Sequence, residues 1–264
     1  MIRYKTDEEI QIIRESAQVL GKAHGEVAKR VAPGVKTKEL DRIAEEFILD
    51  HGGTPSFKNY HGFPSALCMS VNEVVVHGFP GDYELKDTDV VSIDCGVKYK
   101  GFHSDSAYTY PLAKASDDVL KLLHRTYESM ELGIVQAKAG NRMGDVSFAI
   151  QHYVEQFGYG VVRELVGHGV GKDLHEDPEV PNYGKRGKGV KLSPGMVFAI
   201  EPMINMGTKS VVQEKDGWTI RTSDRKPSAH FEHMVVIHKE RTEVLTTHEY
   251  IELNYSYKWR NKSR

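Results

Sequence analysis

Cysteine is nearly missing from this chain, with only Cys68 and Cys95 among 264 residues. A disulfide framework is therefore excluded, and a reducing, cytoplasmic setting is the simpler expectation. No apolar run approaches the roughly 20 residues that would cross a bilayer. The opening stretch from Met1 to Glu9 mixes charges with no continuous apolar segment behind it, which is unlike a secretory signal. Neither sign of charge dominates. The 35 Lys and Arg against 37 Asp and Glu leave a formal −2, which gives no general electrostatic case for DNA or other nucleic acid as a main ligand. The local exception is the end of the chain, where Lys258, Arg260, Lys262 and Arg264 surround Trp259; this basic tail, 251–264, reads either as a solvated end or as a functional patch.

What is present is an ordinary globular composition, 39% hydrophobic and 27% charged, on a chain long enough for one large domain or two small ones. Thr6 followed by Glu9 reads as a capping box, and Ile10, Ile13, Ala17, Leu20, Val27 and Val31 then recur at helical spacing, so a long helix is expected to end near Pro33-Gly34. A second helix is expected after Thr37, with Leu40, Ile43, Ala44, Phe47 and Ile48 on one face and a stop at Gly52-Gly53. Strand-like runs follow at Ser70–Val76 and Val90–Val97. The order then repeats. Ser116 starts a long helix with Leu120, Leu123, Tyr127, Met130 and Ile134 inward, and a shorter one carries Val146, Ile150, Tyr153 and Phe157 to Gly158.

The repeat has a register. Gly34, Leu40, Phe47, Ile48 and Gly52 fall opposite Gly140, Val146, Tyr153, Val154 and Gly158 at an offset of 106, and Leu85, Val90, Val91, Ile93 and Asp94 fall opposite Leu192, Val197, Phe198, Ile200 and Glu201 at 107. This pattern implies an internal duplication, about 7–112 and 113–248, within a single domain over 1–250. Two similar halves would pack about a pseudo-two-fold axis with Asp94 facing Glu201, and clefts form at such seams.

Chemistry-bearing residues gather on these strands. Asp94 ends the apolar run Val90–Ile93, and a turn near Tyr99-Lys100-Gly101 returns the chain through Phe102 to Tyr108. A turn centred on Tyr99 and Lys100 would set Asp94 directly across from Asp105. Like charges so placed repel, and a bridging cation is the simplest compensation; for this pair alone, solvent-facing aspartates on an edge hairpin is the competing account. Glu201 follows Met196–Ile200, and Glu232 sits in His230–Val236, another apolar run expected to be one strand. His168 lies in Gly167–Gly171, where glycines would let backbone approach a ligand, although a histidine taken singly is more often structural. Four carboxylates and one imidazole make an oxygen-rich set suited to two divalent ions such as Mn, Fe, Co or Zn, and such a centre hydrolyses carbonyl substrates.

At this point the sequence resembles a known family. Asp94, Asp105 eleven residues on, His168 in its glycine setting, Glu201 before Pro202-Met203, and Glu232 are similar to the five metal ligands of the type I methionine aminopeptidases, members of the pita-bread fold group. Tyr60–Pro64, Ser70–Gly78 and Leu174–Pro178 resemble that family's pocket and cleft segments in the same order. The similarity runs from the first helix to about Thr246. It implies an α+β pita-bread fold with duplicated helix-helix-strand halves and antiparallel sheet. It also implies a metal-dependent aminopeptidase that removes N-terminal methionine from nascent chains and prefers a small second residue. By the same resemblance Asp94 chelates one ion, Asp105 and Glu232 bridge, and His168 and Glu201 complete the other. Glu201 doubles as the general base, and His77 and His175 stabilise the tetrahedral intermediate. Tyr60, Phe63, Cys68, His77, His175 and Trp218 surround the substrate, and Asn72, Val74 and Ser228 match a monovalent (Na or K) cation site.

Two positions depart from the family pattern. Leu174 stands where some members have an aromatic residue, and Cys95-Gly96 follows Asp94 where some have a hydroxyl. Both affect pocket shape or metal preference rather than the ligand set. The fold group also contains X-Pro peptidases, which share the ligands but usually carry a further N-terminal domain, and non-catalytic members that bind ribosomes, peptides or histones and typically lack ligands. The basic tail is expected to meet ribosomal RNA, and the chain to act as a monomer, away from membranes and DNA.

Overall fold

A computed structural model of the chain describes residues 1–257 and 259. In the first half, helices α1 (Asp7–Ala28) and α2 (Thr37–Asp50) precede strands β1 (Thr54–Pro55), β2 (Leu67–Val71), β3 (Val74–Val76), β4 (Val90–Tyr99) and β5 (Phe102–Pro111). In the second half, α3 (Asp117–Gln136) and α4 (Met143–Glu155) precede β6 (Gly160–Val161), β7 (Gly167–Gly169), β8 (Glu176–Val180), β9 (Val197–Ile200), β10 (Met203–Asn205), β11 (Val211–Gln213), β12 (Ile220–Thr222), β13 (Ser228–His230), β14 (His233–Ile237) and β15 (Thr242–Val244), with α5 (Glu249–Asn254) last. Among the described residues the ladders are antiparallel: β5 runs along one edge of β4 while β2 and β1 follow one another along the other, and β15-β14-β9-β7-β8 forms the matching sheet of the second half.

The halves share hydrogen bonds as well as order. Gly34 N donates to Leu85 O at 2.7 Å and Leu85 N to Val35 O at 2.9 Å; at the predicted offsets, Gly140 N donates to Leu192 O at 2.9 Å and Leu192 N to Asn141 O at 2.8 Å. Gly34 and Gly140 have φ of +89° and +94° with open space around them, so it is the left-handed backbone that requires glycine there. One core cluster runs through both halves, joining Leu20, Ala23 and Val27 of α1, Leu40, Ala44 and Ile48 of α2, Ile93 of β4, and Leu123, Met130 and Ile150 of α3 and α4. No helix among the described residues is long and apolar enough to cross a membrane.

Several boundaries differ from expectation for local reasons. The Thr6–Glu9 capping box forms, but α1 stops at Ala28, and Val31 is buried beyond its end. Ser70–Val76 is two strands, because Asn72 takes φ +55°, a region Asn tolerates, and its amide pairs with Asp89 and Val90 N. Phe157 falls outside α4 and is exposed, with the Arg125 guanidinium 4.2 Å from its ring. His230–Val236 is also two strands: β13 pairs with β10, β14 pairs with β9, and the chain changes sheet at Phe231-Glu232. Trp259 is no surface residue of a basic tail; it is buried, with Nε1 donating to the Tyr108 hydroxyl at 3.2 Å. Lys258, Arg260, Lys262 and Arg264 lie outside the described residues.

Candidate metal centre and cavity

The β4–β5 hairpin sets the first two carboxylates. Its two-residue turn is Lys100-Gly101, with φ of +48° and +86°, the sign both central positions of a type I′ turn require, and Gly101 supplies it without strain. The turn therefore sits one residue on and the pairing two residues from the expected register: Asp94 is opposite Ala107, and Asp105 is opposite Gly96. The aspartates are diagonal neighbours on one face rather than a direct pair, still within side-chain reach. Gly96 leaves that face open and also admits the chain behind it, since a Cβ there would lie 2.8 Å from Phe57 and Ser56.

The second half contributes from matching breaks. Glu201 sits between β9 and β10, and Glu232 sits between β13 and β14. Glu232 is tied across the seam to the first half, its N–H donating to Ala107 O at 3.0 Å and its C=O accepting from Ser106 Oγ at 2.9 Å. His168 projects from β7 with Nε2 3.6 Å from Glu201 Oε1 and 3.8 Å from Asp105 Oδ2. Ligand atoms of Asp105, His168 and Glu232 lie within 4.8 Å of one another, and Asp94 and Glu201 line the same cavity. The glycines around His168 serve a purpose other than ligand approach. A Cβ on Gly167 would lie 2.5 Å from Ala199 O and one on Gly169 2.3 Å from Asp177 O, so they let β7 press against its neighbours.

Electrostatics distinguish the carboxylates. Burial, with added repulsion from the other carboxylates, pushes Asp105 and Glu232 well above the usual range. Burial raises Asp94 to about 7, with Glu201 adding repulsion and His230 opposing. Glu201 is buried too, but the imidazoles of His230, 3.3 Å away, and of His168 and His175 outweigh desolvation and hold it below its ordinary value. Asp94 Oδ1, Asp105 Oδ1 and Glu232 Oε1 are buried with no donor among the described residues. Buried carboxylate oxygens in that state cost several kcal/mol unless a cation compensates them. The donor set, oxygens plus one or more imidazoles, therefore fits hard or borderline divalent ions.

Above the carboxylates lies a cavity of about 450 Å³ that Tyr60, Phe63, Cys68, His77, His175 and Trp218 all line. Phe63 packs edge-on against Trp218, ring centres 5.2 Å apart. Trp218 is presented by a turn in which the Asp216 carboxylate accepts from the N–H groups of Trp218 and Thr219. His175 stands at the rim with Nδ1 2.8 Å from the Tyr60 hydroxyl and its ring 4.1 Å from that of His168. Desolvation first, and the His168 imidazole next, lower its pKa, so at neutral pH it is uncharged. A Tyr60 O–H donating to Nδ1 would leave the ring proton on Nε2. His77 is likewise lowered by desolvation. Leu174 is buried with Phe57, Phe63 and Cys68. Asn72 and Ser228 meet, Ser228 N donating to Asn72 O at 3.0 Å, and Val74 begins the adjoining β3.

The sequence reading passed over His230, Phe57, Leu165 and Met203, all of which line the cavity. A signal existed for His230, which shares parity with Glu232 on what reads as one strand. Nothing in sequence marks Phe57, which reaches the cavity only because Gly96 admits it.

Comparison with known proteins gives a consistent picture. The family model described as Metallopeptidase family M24 matches residues 11–239. A protein of Clostridium perfringens named methionine aminopeptidase is 53% identical over 246 residues, covering 93% of this chain and 99% of that one. The crystal structure of a methionine aminopeptidase from Thermotoga maritima superposes with a TM-score of 0.92 at 42% identity, covering 94% of this chain and 100% of that one. A prolidase from Pyrococcus horikoshii matches at TM-score 0.76 and 22% identity, covering 92% of this chain and 63% of that one, a likeness of fold alone.

Proposed function

Because this chain belongs to metallopeptidase family M24, we propose that it hydrolyses the peptide bond after an N-terminal methionine, in peptides and in nascent proteins. The observation that carries the reading is that Asp94, Asp105 and Glu232, whose buried oxygens lack donors, line the same cavity as the aromatic side chains of Tyr60, Phe63 and Trp218. The enzyme uses divalent metal; we assign two ions, Co, Mn, Fe or Zn, to Asp94, Asp105, His168, Glu201 and Glu232. Such ions, when bound, lower the pKa of a water and polarise the scissile carbonyl. Glu201, kept ionised by its imidazole neighbours, takes the proton from the attacking water and passes it to the leaving amine. His175 Nε2–H donates to the oxygen that gains charge, and His77 orients the substrate from the opposite wall.

Selectivity follows from the walls. Tyr60, Phe63, Trp218, Cys68 and His77 enclose a narrow, polarizable slot that suits an unbranched thioether. A bulky second residue would be forced against His175 and the carboxylates, where a displacement near 1 Å costs about 10²-fold. Asn72, Val74 and Ser228 are assigned a structural Na or K ion, and the basic tail a weak contact with ribosomal RNA. The setting proposed is a cytoplasmic monomer. The experiment is metal analysis coupled to cleavage of Met-X-Ser and Y-Ala-Ser peptides. Met-Ala-Ser is expected to exceed both Met-Phe-Ser and Leu-Ala-Ser in kcat/KM by at least tenfold, and equal values would refute the reading of the pocket.

A further inference from the structure

Beyond the predicted ligands, one buried imidazole faces the reacting carboxylate. His230 is 1% exposed, and its Nε2 lies 3.3 Å from Glu201 Oε2. No described group stands in full hydrogen-bond geometry to that nitrogen, so the Glu201 carboxylate at 3.3 Å has only to turn slightly to receive it. A buried polar atom left without a partner costs about 1–3 kcal/mol, so an imidazole serving only to fill space would be a poor choice there.

Its placement is enforced by the first half of the molecule. Thr109 Oγ1, on β5, accepts from His230 N at 3.0 Å and donates to His230 O at 2.6 Å. Having one proton, that hydroxyl must accept from Ser92 Oγ, 2.8 Å away on β4. On the other side His230 is opposite Met203, the end of the β10–β13 ladder nearest Glu201-Pro202. The residue is thus pinned across the seam between halves, where β13 gives way to the Glu232 break.

Glu201 is flanked as a result. Its Oε1 lies 3.6 Å from His168 Nε2 and its Oε2 3.3 Å from His230 Nε2. The last torsion of a glutamate is broad and two-fold, so a carboxylate held at one oxygen still swings. From this geometry we infer that His230 is a positioning residue for Glu201: its Nε2–H donates to Oε2 and fixes the plane of the carboxylate, while Oε1 faces His168. The inference rests on the reading of Glu201 as proton acceptor.

The test compares His230→Leu, which removes the N–H, with His230→Gln, whose amide N–H reaches to the same place. Steady-state cleavage of Met-Ala-Ser is measured with Mn(II), and Mn(II) binding to demetallated protein is measured by calorimetry. For His230→Leu we expect kcat to fall about 10- to 100-fold with KM within about threefold of wild type, and one Mn(II) to bind about tenfold more weakly at unchanged stoichiometry, the usual scale for a partner of a metal-site ligand. His230→Gln is expected to stay within about threefold of wild type in both measurements. Wild-type turnover and Mn(II) affinity in His230→Leu would overturn the inference, as would a His230→Gln as impaired as the leucine variant. Should the leucine variant fail to fold, His230→Asn, whose amide is one bond too short, takes its place under the same criteria. A wild-type protein that binds no Mn(II) or leaves Met-Ala-Ser intact refutes the proposed function and this inference with it; indifferent His230 variants of an active enzyme refute the inference alone.

Discussion

Replacing Asp105 by asparagine separates what the buried carboxylates do for chemistry from what they cost the fold. Asp105, Glu232 and Asp94 crowd one site, and burial with mutual repulsion raises all three, Asp94 to about 7. A carboxyl whose folded pKa lies above its unfolded value stabilises the fold fully below the unfolded pKa, and that contribution is lost as pH rises through the folded one. From an ordinary 3.8 to about 7 is a difference of roughly 3 units for Asp94, or on the order of 4 kcal/mol at 1.36 kcal/mol per unit. Removing one charge from the group should recover part of such a term. Metal-free Asp105→Asn is therefore expected to be more stable than metal-free wild type by about 2 kcal/mol at pH 8, roughly 4–8 °C in Tm for a domain of this size. The gap should narrow toward pH 4, where Asp105 is protonated in the folded state and close to half-protonated in the unfolded one. With divalent ion present the order reverses, because wild type gains the ion's binding energy and the variant loses a ligand, together with most of its turnover. The assay is thermal unfolding of chelator-treated and metal-loaded proteins between pH 4 and 8, alongside peptide cleavage. A metal-free variant no more stable than wild type at pH 8 would refute the electrostatic account, and wild-type turnover and metal stoichiometry in the variant would refute the assignment of Asp105 to the centre.

Three further outcomes are expected. His175→Ala should lower kcat for Met-Ala-Ser about 10²-fold with little change in KM, the usual loss for one oxyanion donor; a rise in KM at unchanged kcat would make it a ground-state contact. His24 is buried against Ser106 O, and desolvation lowers it to about 4, so its neutral form favours the fold above pH 6.5, and up to about 3 kcal/mol is lost as pH falls from 6.5 to 4. His24→Gln should flatten that acid limb of metal-free Tm against pH, and an unchanged slope would show that other groups carry it. Changing Lys258, Arg260, Lys262 and Arg264 to Gln, while keeping the buried Trp259, should weaken low-salt ribosome co-sedimentation, and unaltered binding would remove the proposed contact.

The sequence by itself marked the helices, the repeat and the five candidate ligands, because these are written in local patterns. The Thr6–Glu9 cap, the heptad-like spacing of apolar residues and the paired glycines at 34 and 140 each depend on neighbours a few positions away. Carboxylates at the ends of apolar strands stood out for the same reason, since nothing local explains burying them. Tertiary structure decided what depends on the approach of distant segments. The hairpin register turned on which two residues of Tyr99-Lys100-Gly101 take positive φ, and a shift of one moved Asp105 from Asp94 to Gly96. The breaks at Asn72 and at Phe231-Glu232 arise where the chain passes from one sheet to another, which period-two alternation does not register. Trp259 stands among basic residues in sequence but packs into the core against Tyr108 and Phe231. His230 stands beside Glu201 because Thr109, in the opposite half, and the pairing with Met203 hold its backbone there.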